Sequence, residues 1–170
     1  MSEALTEADS VFVDTNVFIA VGRPDNEKFQ AFRTVVHRHT VVLQVPQRVE
    51  SELRTMQRTD GLETALNEGW ATVIAPPAPT DSDAVAAMDL ARRMIASQTN
   101  KSEHEVEKAD TVFAGLAVQH LRQHDAEQVV VLTDDRVAAS AIQRAIEQQD
   151  YRESITVLRR SDVIDMSGEF

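Results

Sequence analysis

Short apolar runs alternate along this chain with longer stretches whose apolar residues recur every three or four positions. The runs predict strands at Val11-Phe12-Val13, Val41-Val42-Leu43-Gln44-Val45, Ala71-Thr72-Val73-Ile74, Val129-Val130-Val131-Leu132 and 155–158. The periodic stretches predict helices near 16–21, 25–38, 46–57, 60–67, 82–98, 103–123 and 136–149. Local signals support several of these boundaries. Pro46 suits the first turn of a helix, and Ser102-Glu103-His104-Glu105 has a capping-box pattern. Thr80 or Asp81 can cap the helix that follows the Pro-rich loop at 75–80. Strands separated by helices predict an α/β fold with a central parallel sheet and helices on both faces. The organisation expected is one domain over 10–158, an N-terminal tail over 1–9, and a C-terminal tail over 159–170 that is frayed or used for a partner.

Against this pattern some acidic residues stand out of place. The first strand ends abruptly in Asp14-Thr15-Asn16, and the Val129–Leu132 run ends in Thr133-Asp134-Asp135. In open α/β sheets, ligands and catalytic groups gather at the carboxyl ends of the strands. Two apolar strands that deliver carboxylates to that edge suggest one negative pocket, which a hard divalent cation explains most simply. Two helices add to it. In helix 46–57, Val49, Leu53 and Met56 form the apolar face, and Glu52 falls on the same side. An unpaired charge there is costly. Glu50 lies on the opposite side, four residues before Arg54, and reads as an ordinary surface ion pair. In helix 103–123, Val106, Ala109, Phe113, Leu116, Ala117 and His120 form the stripe, and Asp110 lies on it. Aspartate is a mediocre helix-interior residue, so one on a buried face needs a reason.

Composition changes this picture in one respect. The chain carries 28 acidic against 17 basic residues, a net charge of −11, and only three of the basic residues are lysines (Lys28, Lys101, Lys108). That balance resembles proteins of salt-in halophiles. At ordinary salt so acidic a chain would discourage a nucleic-acid partner. In multimolar salt the Debye length falls below about 3 Å and long-range repulsion is screened, so a nucleic-acid substrate stays open. The absence of cysteine excludes disulfides and thiolate metal ligands. No apolar run approaches a membrane span, and the acidic start Met1-Ser2-Glu3-Ala4-Leu5 does not resemble a signal peptide, so a cytoplasmic protein without membrane contact is expected.

The ordered set of motifs resembles the PIN-domain nucleases, which include the VapC-type toxins and proteins similar to the PilT N-terminus. Val13-Asp14-Thr15-Asn16-Val17-Phe18 is similar to the family's first motif, and Val45–Leu53, with Glu52 followed by Leu53, to its second. Ala109-Asp110-Thr111-Val112-Phe113-Ala114 resembles the third, and Val131-Leu132-Thr133-Asp134-Asp135, a Thr-x-Asp after a strand, the fourth. The resemblance covers roughly 10–158. It implies a three-layer α/β/α fold and a metal-dependent ribonuclease. The acids it implies as catalytic and metal-holding are Asp14, Glu52, Asp110 and Asp135. Asn16 and Thr133 match auxiliary positions, and Asp134 stands where many relatives carry an uncharged polar residue. Carboxylate oxygens suit Mg²⁺ or Mn²⁺. The reaction implied is hydrolysis of an RNA phosphodiester by in-line attack of a water activated by the metal.

Within this reading the protein is either the toxin of a toxin–antitoxin pair, held inactive by a small antitoxin protein, or a stand-alone RNA-processing nuclease; similar proteins are commonly homodimers. A different class, a catalytically quiet scaffold that binds RNA or protein, is opposed by acids at all four motif positions. A haloacid-dehalogenase phosphatase would want Asp-x-Asp after the first strand, where this chain has Asp14-Thr15-Asn16, and a Toprim-like site would want a Glu there. Arg23, Arg48 and Arg136 lie near the acidic edge, where each is a phosphate contact or a surface ion-pair partner. His37, His39, His104 and His120 read as structural or surface residues, and Trp70 as core.

Overall fold

A computed structural model describes residues 10–75, 80–100, 108–123 and 127–165, together with Leu5, Ala8 and Ser102; of residues 108–110 it describes the backbone alone. Five strands form one all-parallel sheet: β1 (Ser10–Val13), β2 (Leu43–Pro46), β3 (Ala71–Ile74), β4 (Val129–Leu132) and β5 (Ile155–Leu158). Their order is β3-β2-β1-β4-β5, so the chain runs outward from β1 to one edge, then crosses back to β4 and runs to the other.

Right-handed crossovers put helices on opposite faces when the direction of travel reverses. Accordingly α1 (Thr15–Val21), α2 (Glu27–Arg38), α3 (Gln47–Thr55) and α4 (Asp60–Glu68) pack with one another. The other layer holds α5 (Ser82–Thr99), α6 (Lys108–Gln123) and α7 (Arg136–Gln148), again packed together. Three layers result, as the sequence implies. β1 and β4, at the centre, are buried at every position, which is why they read as unbroken apolar runs. Phe12, Phe29, Phe32, Leu43 and Leu53 are among the largest wholly buried side chains. Trp70 is buried as expected, with its ring centroid 5.7 Å from that of Phe29.

Three expectations are corrected. The second strand begins at Leu43 rather than Val41, because Thr40 sits at φ 54 and turns the chain, leaving Val42 49% exposed. The third helix spans Gln47–Thr55 rather than 46–57. Pro46, at φ −58 and ψ 142, ends β2 instead of opening the helix, and Met56 falls beyond the last turn with 51% exposure. Finally, the segment taken for the start of a C-terminal tail forms α8 (Arg160–Asp165). Val163 of α8 is fully buried, and α8 packs against α2 and α1, which returns it to the α1–α4 layer. The capping-box pattern at 102–105 and the helix residues up to 107 lie, Ser102 excepted, outside the described residues. No helix among the described residues is long and apolar enough to cross a membrane.

A polar clasp joins the α5–α7 layer away from the acidic edge. Asp81 caps α5 by accepting from the Asp83 and Ala84 amides. Its other oxygen accepts from Arg122 Nε at 2.7 Å. Arg122, on α6, also donates to Asp83 at 3.3 Å, and Tyr151, beyond α7, donates its hydroxyl to Asp83 at 2.9 Å. The Arg122 guanidinium holds the Asp81 carboxyl below its ordinary range. A lowered carboxyl pKa adds stability above the unfolded-state value, and that stability is lost as pH falls through the folded-state value. We therefore expect Asp81→Asn, which keeps the cap but removes the charge, to lower Tm at neutral pH. The gap to wild type should close below about pH 4, as Asp81 protonates. Thermal melts at a series of pH values in constant salt check this; a gap that persists undiminished in acid would exclude the charge as its source.

Candidate active site

The strand order reverses between β1 and β4, and at such a switch point the carboxyl ends of neighbouring strands diverge into a crevice. Asp14 and Thr133 are the first residues beyond these two strands. The Asp14 amide donates to Leu132 O at 2.9 Å, which carries the ladder one step past β1. Its backbone is extended (φ −86, ψ 158), so its carboxylate sits at the N-cap of α1, where free amides favour an anion.

Among the described residues, three donors hold that carboxylate. Oδ1 accepts from the Thr15 amide at 2.7 Å, and Oδ2 from Asn16 Nδ2 at 3.2 Å and from Thr133 Oγ1 at 3.1 Å. The Thr133 hydroxyl, wholly buried, also accepts from the Asp135 amide at 3.4 Å. Asn16 uses both ends of its amide, since its Oδ1 accepts from the Asp134 amide at 2.7 Å. The two strand ends are thus laced together by Asn16 and Thr133, two of the three auxiliary residues expected from the sequence, with the amide of the third, Asp134, as a partner.

Glu52 reaches the same place from α3. Val49 and Leu53 are buried as expected, while Glu52 is only half-buried at the border of that face. Its Oε2 accepts from Thr15 Oγ1 at 2.5 Å, and its Oε1 from Arg48 Nε at 3.3 Å. Thr15 therefore touches Asp14 through its amide and Glu52 through its hydroxyl. Arg48 is Glu52's ion-pair partner, and Glu50 pairs with Arg54 at 3.5 Å as the spacing predicts. Arg23, far out on the surface, pairs with Asp60 at 3.6 Å.

The two acids after β4 have different surroundings. Asp135 is exposed and caps α7, with Oδ1 accepting from the Val137 and Ala138 amides at 2.9 and 3.1 Å. Asp134, whose side chain is 14% exposed, faces Arg159 at 3.9 Å and Arg160 at 3.6 Å and accepts from the Arg160 amide at 3.2 Å. The backbone of Asp110 lies in the first turn of α6 that is described, but its side chain lies outside the described residues. Among the described residues no three His, Asp or Glu side chains form a group that could hold a metal ion. The structure therefore joins Asp14 to Glu52 through Thr15, and Asp14 to the Asp134–Asp135 turn through Asn16 and Thr133. In kind the donors fit a hard divalent cation: they are carboxylate oxygens at one sheet edge, with no described imidazole among them.

The halobacterial PIN-domain profile matches residues 7–169, nearly the whole chain. The chain belongs to the halobacterial PIN-domain family. PIN domains are generally nucleases and typically use divalent metals. No curated protein matches the chain, and no solved structure does.

Sequence reasoning about this PIN domain passed over Thr15, Arg159 and Arg160. The first carries a legible signal, a polar residue at the first helical position beside a buried strand end. The arginines carry another: an Arg-Arg pair directly after an apolar strand, in a chain where basic residues are the minority.

Carboxylates brought to one edge repel one another, so a cation that binds them stabilises the folded state. Mg²⁺ or Mn²⁺ should raise Tm, with about 2.7 kcal/mol gained at one hundred times the dissociation constant. Asp14→Asn should weaken that increment; in the metal-free protein, relief of carboxylate repulsion is set against the loss of one acceptor oxygen for Asn16 and Thr133. Differential scanning fluorimetry with and without EDTA reads both effects, and an identical metal response in wild type and variant would count against the site.

Proposed function

We propose that this PIN domain is a metal-dependent endoribonuclease that hydrolyses RNA phosphodiester bonds at the β1/β4 edge. Asp14, Glu52, Asp110 and Asp135 are the residues that would hold Mg²⁺ or Mn²⁺. The observation that carries the reading is the fixed Asp14 carboxylate at the sheet's switch point, bound by Thr15, Asn16 and Thr133 in a chain of PIN family. When bound, a divalent cation there supplies a Lewis acid beside a phosphoryl oxygen and lowers the pKa of water.

The rest of the work belongs to the protein's own side chains. N–H and O–H donors aimed at Asp14 fix its orientation before any ligand arrives. Thr15 and Arg48 do the same for Glu52, one on each oxygen. The family resemblance, which points to RNA, supplies the substrate class; the acidic surface is compatible with it at high salt.

Cleavage of an end-labelled RNA pool in concentrated KCl, with Mg²⁺, Mn²⁺ or EDTA, tests the proposal. Wild type should cut only with metal, and Asp14→Asn should cut at least about a hundredfold more slowly, beyond the 10–100-fold typical of losing an outer-shell partner. Cutting that survives the substitution, or that EDTA leaves intact, would overturn it. A protein that cuts nothing in a diverse pool and gains no stability from metal would favour the scaffold reading.

A further inference from the structure

The Asp134 turn holds an arrangement that the four acids do not require. β5 ends at Leu158, and the next two residues are Arg159 and Arg160. Asp162 accepts from the Arg159 amide at 2.8 Å, and Asp134 Oδ1 from the Arg160 amide at 3.2 Å, so the backbone of the pair is pinned at both positions. Both side chains lean on Asp134, Arg159 Nε at 3.9 Å from Oδ1 and Arg160 Nε at 3.6 Å from Oδ2.

These distances are ion pairs rather than hydrogen bonds. Both Nε atoms are buried without a hydrogen-bond partner, a costly state for a charged donor. The terminal nitrogens of the two guanidiniums likewise have no partner among the described residues, although the side chains are 32% and 23% exposed. Two forked cations are thus anchored by one shared carboxylate with most of their donors unspent. A guanidinium in that condition suits a bidentate acceptor, and phosphate oxygens match its planar fork.

The place matters as much as the chemistry. Asp134 lies between Thr133, which donates to Asp14, and Asp135, and its own amide is held by Asn16. The arginine pair therefore stands one residue away from the β1/β4 edge. We infer that Arg159 and Arg160 form a subsite for a backbone phosphate of the RNA strand beside the one that is cut, with Asp134 as the positioning residue that holds them there. This rests on the nuclease reading given above. It also gives Asp134 a role distinct from that of Asp135: its charge faces cations.

Steady-state cleavage of a labelled single-stranded RNA, measured over a range of KCl concentrations, tests the subsite. The variants are Arg159→Gln, Arg160→Gln, the double Gln variant and Arg159→Lys/Arg160→Lys. Each single Gln change should raise KM about tenfold, the size of one charge-assisted hydrogen bond, with kcat little altered. In the double Gln variant the negative slope of log(1/KM) against log[KCl] should become shallower by about 0.7 for the lost phosphate contact. The Lys variant should keep the slope while recovering only part of the affinity, because it retains charge but not the fork. Unchanged KM and slope in an active enzyme would overturn the subsite alone. Gln and Lys variants that are equally impaired and share a lowered Tm would also overturn it, reducing the pair to a structural partner of Asp134. Wild type that cuts no RNA would overturn the nuclease reading and the subsite with it.

Discussion

At the carboxyl edge of the sheet, the carboxylate of Asp14 ties the end of β1 to the turn that follows β4. It accepts from Thr15 and Asn16 on its own side and from Thr133 across the β1/β4 boundary, and Asn16 returns the link by accepting from Asp134. An anion at the end of a buried strand is tolerable only because these donors, the first amide of α1 among them, face it. The same donors fix where the carboxylate points. A constraint of folding and the preorganisation of a site are here one set of hydrogen bonds.

The neighbouring groups build outward from that point. Thr15 passes the connection to Glu52 on α3, and Thr133 passes it to the amide of Asp135, which in turn caps α7. Asp14 and Asp135 each stand at the start of a helix. Such positions are rigid, since the helix is fixed by its buried face rather than by the acid itself. The arginine pair beyond β5 extends the edge on its far side, where Asp134 balances it.

Much of this was legible in the sequence, for identifiable reasons. β1 and β4 are covered on both faces, so nothing interrupts their apolar runs and the acids that follow stand out. Glu50 and Arg54 declared themselves by spacing alone. What was hidden depended on contacts between distant segments. Glu52 reads as misplaced on a core face, yet it lies at the border, turned toward a Thr15 hydroxyl 37 residues earlier. Met56 looks like core until the helix is seen to stop at Thr55. α8 was missed because a helix of 6 residues is too short to establish a period, and Val163 finds its buried place only through α1 and α2. Asp134 and Asp135 are adjacent and chemically alike; the α7 cap that Asp135 forms and the arginines that β5 brings alongside Asp134 tell them apart.

The central proposal is that Asp14, Glu52, Asp110 and Asp135 together hold divalent metal. Its most direct test is Mn²⁺ titration followed by electron paramagnetic resonance, comparing wild type with Asp110→Asn. The account predicts saturable binding in wild type that Asp110→Asn weakens by about tenfold or more. Binding of equal affinity and stoichiometry in both proteins would contradict it, because a cation indifferent to Asp110 would not be held by the four proposed acids.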